Sequence, residues 1–126
     1  MSKNKNLTIQ ETFGLAVKNH QEGKIDIAQE LYNQVLKIDP SHSQSLGNIA
    51  VIFSNLKEHQ KAKECYEKII EINPNYVKAH YNLGVVFKEL GELEKAKECY
   101  EKTIEIDPNY ANAHYNLGNI LKELGE

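Results

Sequence analysis

The sequence predicts an all-α protein, a row of paired helices, and three observations carry that expectation. The first is a period: Pro40, Pro74 and Pro108 stand 34 residues apart, as do Ala28, Ala62 and Ala96, and Tyr32, Tyr66 and Tyr100. "KAKECYEKIIEINPNY" from Lys61 returns as "KAKECYEKTIEIDPNY" from Lys95 with two changes. The second is apolar spacing that follows a helix and not a strand, with Leu83, Val86, Phe87 and Leu90 at i, i+3, i+4 and i+7. The third is punctuation, because a proline closes each full period and Gly91 breaks the third between its two stripes.

Taken in order, the elements each have a physical reason. Thr8 and Glu11 have the spacing of a capping box, which predicts a helix beginning near Ile9. Within the third period, Leu83 to Leu90 form one stripe, and Ala96, Cys99, Tyr100, Thr103 and Ile104 form a second after "LGE". Gly91 separates the two, since a residue without Cβ enters the left-handed conformation that ends a helix. Pro108 ends the second helix by pushing the residue before it out of the α region. Ser41 and Asn109 are expected to cap the helices that follow the prolines. The division is a leading segment over 1–8, full units over 9–42, 43–76 and 77–110, and the first helix of a fourth over 111–126.

Bulk properties narrow the function. A formal net charge of -3 with Lys and Glu intermixed argues against a basic stripe for nucleic acid. No apolar run approaches the roughly 20 residues of a membrane helix. The start, "MSKNKNLTIQ", lacks the apolar core of a secretory signal. Two cysteines without close spacing fit a reducing compartment, so a cytoplasmic protein is expected. No nucleophile–base pair with an orienting group and no phosphate-binding glycine loop is present, so this chain alone is read as a non-enzyme needing no cofactor.

The repeated unit resembles the tetratricopeptide repeat, whose pattern runs W-x2-L-G-x2-Y, A-x3-F and then P. His80, Leu83, Gly84, Phe87, Ala96, Tyr100 and Pro108 stand at those places in the third unit. Leu46, Ile49, Ala50, Phe53, Ala62, Tyr66 and Pro74 do so in the second, and the first unit fits least well. The resemblance implies a right-handed α-solenoid whose first helices line a concave groove that holds an extended peptide. Small residues at Ala16, Ala50, Gly84 and Gly118 are expected to let helices approach closely.

On that resemblance, one groove position reads Gly14, Asn48, Asn82 and Asn116, and three asparagines at a fixed interval can each offer a donor and an acceptor to a peptide backbone. This is similar to the asparagine ladder of O-linked N-acetylglucosamine transferases. Tyr81 and Tyr115 are expected to give flat contacts with wet hydroxyls. Lys78, Val51, Val85, Asn119 and Lys88 complete the candidate groove. A relative of the family, the chaperone-tail receptors, uses a Lys, Asn, Asn, Lys, Arg clamp. Phe13, Val17, Asn48, Lys78 and Asn82 fall at those places and only two match, which argues against that role.

Metal and disulfide readings fare poorly. His80 and His114 are repeat equivalents separated by about a helix diameter of roughly 10 Å, too far to share zinc. Cys65 and Cys99 are equivalents too, at helix-packing distances of about 8–10 Å that exceed the roughly 7 Å Cα limit for a bridge. The last helix carries Leu117, Ile120, Leu121 and Leu124, an apolar stripe without a following helix to cover it. It is expected to mark either a piece of a longer array or an end covered by self-association. Three readings follow: a peptide-binding scaffold, a substrate-recruiting segment of a modifying enzyme such as a glycosyltransferase, and a self-associating homo-oligomer.

Overall fold

A computed structural model describes residues 7–126; residues 1–6 lie outside it, and with them most of the expected leading segment. Among the described residues there are seven α-helices and no strand. They are α1 (Ile9–Gln21), α2 (Ile25–Ile38), α3 (Ser43–Asn55), α4 (His59–Ile72), α5 (Val77–Glu89), α6 (Leu93–Ile106) and α7 (Ala111–Glu123). Every extensive helix–helix contact joins neighbours in the chain, which is the signature of a solenoid.

The capping box at the start forms as expected. The Thr8 side chain accepts from the Glu11 backbone N–H at 3.0 Å, and Glu11 Oε1 accepts from the Thr8 N–H at 2.9 Å. The caps after the prolines differ from expectation. His42, not Ser41, is the N-cap of α3 and accepts from the Ser45 N–H, while Tyr110, not Asn109, precedes α7 and supplies no side-chain bond. The Ser41 and Asn109 backbones instead donate to Asp39 Oδ1 and Asp107 Oδ1, each at 3.1 Å. The short carboxylate two residues upstream captures the turn before a serine or asparagine side chain can act.

Each turn within a pair uses a left-handed residue. Gly91 has φ +79°, a conformation that costs a residue with Cβ, and Lys57 occupies the equivalent place at φ 65°. Lys57→Gly is expected to raise stability by about 1 kcal/mol, less a few tenths for the freer unfolded chain. Thermal unfolding followed by circular dichroism checks this.

The core runs along the stack and not around a centre. Ala28, Ala62 and Ala96 are wholly buried, with Tyr32, Tyr66 and Tyr100 beside them. At Gly84 a Cβ would lie 2.7 Å from the Tyr100 ring, so a close approach demands glycine there. Gly118 meets nothing within 4 Å, because no following helix in the described chain covers that face.

The stripe of α7 also needs correction. Ile120 is fully buried in the same cluster as Phe87, Cys99 and Tyr100, with Leu117 and Leu124 half-buried against it. The face of α7 that carries Ile120 is spent on α6, so Ile120 cannot serve as an edge for another copy. Leu121 is half-buried as well.

Candidate functional site: a groove lined by the odd-numbered helices

The candidate ladder sits on corresponding turns of α3, α5 and α7, and all three asparagines are half-buried. Asn48 Nδ2 donates to the Tyr32 hydroxyl at 3.2 Å, and Asn116 Nδ2 donates to the Tyr81 hydroxyl at 2.9 Å. Such a bond fixes which end of the amide is nitrogen, and leaves one N–H and the carbonyl oxygen of each for a ligand. Asn82 makes no side-chain hydrogen bond to another described residue. The tyrosine that holds Asn116 comes from the preceding odd-numbered helix, and at the matching place before Asn82 stands Gly47.

Around the ladder the groove divides into hollows. One of about 330 Å³ joins Asn48, Val51, Lys78 and Asn82 with Phe13 and Gly47. Tyr66 and Ile69 of α4 and Tyr76 of the turn form its other wall. These even-helix and turn residues were not among the expected groove residues, although the strict recurrence of Tyr66 marked it as structural. A second hollow of about 340 Å³ holds Lys88 and Asn119 with Lys122 and Glu123. Val85 lies apart from both, beside Ser54, His59 and Glu89.

The two tyrosines behave differently from one another. Tyr81 is half-buried, its ring 5.0 Å from Tyr110 and 5.8 Å from Tyr100, and its hydroxyl is engaged by Asn116 and not simply wet. Tyr115, the repeat equivalent on α7, is 72% exposed. Lys78 is exposed and makes no ion pair with another described residue, and it is the one charged side chain lining the first hollow.

The histidines are tied to the turns. Nε2 of His80 and of His114 lies 2.7 Å from the carbonyl oxygen of Pro74 and of Pro108, so each ring donates a proton there. Among the described residues no group of three metal-ligating side chains comes together. No helix in the described chain is long and apolar enough to cross a membrane.

Cys65 and Cys99 are unbridged. Burial pushes the Cys65 thiol from 9.0 to about 11 and the Cys99 thiol from 9.0 to about 12, with nearby glutamates adding to both. Burial likewise raises the Tyr66 hydroxyl from 10.0 to about 12. Groups held protonated in the fold stabilise it fully below their unfolded values, and that contribution fades as pH rises through the folded ones. Stability is therefore expected to stay flat near neutral pH and to fall from about pH 9 towards 12. The native Cys65 thiol should react about 100-fold more slowly with Ellman's reagent than the unfolded one, since its shift from 9.0 to about 11 removes that much thiolate, and Cys99 should react more slowly still.

The seven helices form a helical-repeat array in which neighbours in the chain pack together. Sequence models of the tetratricopeptide repeat match residues 16–42, 43–76 and 65–98, and a further TPR repeat model matches 86–125. Tetratricopeptide repeats are thus found over residues 16–125. The first TPR domain of Spaghetti (RPAP3), solved bound to the HSP90 peptide SRMEEVD, is 27% identical, with 94% of each chain covered and a TM-score of 0.87. MamA is 26% identical, covering 98% of this chain and 72% of its own, with a TM-score of 0.90. The Sgt2 TPR domain from Aspergillus fumigatus is 28% identical, covering 94% of this chain and 80% of its own, with a TM-score of 0.82. No curated protein matches the chain at a significant level.

Proposed function

We propose that this protein is an interaction scaffold that holds an extended peptide segment of a partner protein along the odd-numbered helices. The observation that carries the reading is the ladder itself. Asn48, Asn82 and Asn116 recur on one face, and tyrosine hydroxyls orient the first and last of them. Their free carbonyl oxygens and remaining N–H groups match the alternating groups of a peptide backbone. Val51 and Lys78 line the first hollow beside the ladder, Lys88 and Asn119 line the second, and Val85, Tyr81 and Tyr115 lie along the same helices.

The structural likeness to a TPR domain that holds an HSP90 peptide supports the peptide class of ligand. It does not extend to that peptide's terminal carboxylate, because Phe13, Val17 and Asn82 replace three of the five clamp residues. A cytoplasmic setting suits the two unbridged thiols. The second reading, substrate recruitment for a modifying enzyme such as a glycosyltransferase, uses the same ladder and differs in what is joined to the array. A full-length reading frame with a catalytic domain favours it.

Changing Asn48, Asn82 and Asn116 together to alanine is expected to weaken peptide binding about 10- to 1,000-fold, at roughly 0.5–1.5 kcal/mol for one hydrogen bond from each. The three side chains are only half-buried, so helix content should persist. Isothermal titration with a selected peptide, beside circular dichroism of the same sample, measures both. Unchanged affinity in the folded variant would refute the ladder.

A further inference from the structure

The stack carries a regular aromatic pairing that is interrupted once. Phe13 of α1 lies 4.9 Å from the His42 ring, and Tyr81 of α5 lies 5.0 Å from the Tyr110 ring. Each pair joins the fifth residue of an odd-numbered helix to the residue before the next odd-numbered helix. In α3 the corresponding pair is Gly47 and Tyr76, so Tyr76 has no aromatic partner from that helix.

The missing side chain has two effects. It opens the hollow of about 330 Å³, where a Cβ on Gly47 would meet only Ile69 Cδ1 at 3.8 Å. It also removes the hydroxyl that would engage Asn82, as Tyr81 engages Asn116. The gap leaves an unpaired aromatic face beside Lys78, and Asn82, which makes no side-chain hydrogen bond to another described residue, lines the same space.

We propose that this hollow takes a tyrosine side chain of the bound segment, with an acidic residue next to it. The incoming ring lies against Tyr76 as Tyr81 lies against Tyr110. Its hydroxyl accepts from Asn82 Nδ2, as the Tyr81 hydroxyl accepts from Asn116. The neighbouring carboxylate faces Lys78, the one charge on the rim. The hollow is within the size range of small-ligand pockets, roughly 300–1,000 Å³. This assignment rests on the groove reading above and names its specificity.

The test pans a random-peptide phage library on the intact chain, then measures the synthesised winners by fluorescence polarisation. Expected are peptides bearing tyrosine beside Asp or Glu, which lose at least about tenfold in affinity on Tyr→Ala in the peptide, about 1.4 kcal/mol. Gly47→Tyr in the protein should block the same peptides, and should raise the melting temperature by about 2–4 °C because the array completes its own pairing. Winners without an aromatic residue, or winners indifferent to Gly47→Tyr while still lost on the triple asparagine variant, would overturn the hollow and leave the groove standing. Winners indifferent to both changes, or a library that yields none, would overturn both. The peptide-side substitution decides the matter even if Gly47→Tyr fails to fold.

Discussion

Truncating Tyr100 to alanine is expected to cost about 3–5 kcal/mol, the range for losing a large buried aromatic side chain. The ring is wholly buried, lies beside Ala96 on α6, and fills the space that Gly84 leaves on α5. No neighbour can collapse into that space without separating α5 from α6. A typical domain holds only about 5–15 kcal/mol in total, so the melting temperature should fall by about 10–20 °C. Tyr100→Phe is the informative control. The Tyr100 hydroxyl is buried without a well-formed hydrogen bond, because the nearby Asn116 amide is turned to Tyr81. Its removal should be neutral or slightly stabilising.

Ile120→Asp should detach α7. A carboxylate cannot be buried unpaired in the cluster of Phe87, Cys99 and Tyr100 without a cost of several kcal/mol. Leu121→Asp, on the same helix at a half-buried site, should cost far less. Because α7 contacts chiefly α6, the damage should stay local. Ellman's reagent should then reach Cys99 faster, and helix content should fall by about one helix while α1 to α6 remain. A surface role for Ile120 in self-association predicts the opposite: a folded monomer with ordinary thiol protection.

The helices were legible because their cause is local. Period, apolar spacing and punctuation recur in every unit, so Thr8 at one end and Gly91 within a turn could be read without a structure. The candidate asparagines were legible for the same reason. What escaped was the commitment of atoms between units. No spacing rule shows that Asn116 donates to Tyr81 on a helix of a different unit, or that Asp107 pre-empts Asn109 in the turn. Ile120 looked like an edge because apolar spacing does not say which neighbour a stripe faces, and this one joins the cluster of Phe87, Cys99 and Tyr100. Gly47 was the faintest signal. A glycine at an aromatic position is conspicuous only once Phe13 and Tyr81 are seen beside their ring partners.

Contacts made chiefly between successive helices give this molecule the mechanics of a coil spring, whose curvature resides in its joints. A ligand reaching from Asn48 to Asn116 would bridge the joints around α3, α5 and α7 and act as a splint across them. Pitch and affinity would then be linked: whatever straightens or tightens the spring changes the distance between rungs, and with it how well a backbone of fixed repeat can be gripped.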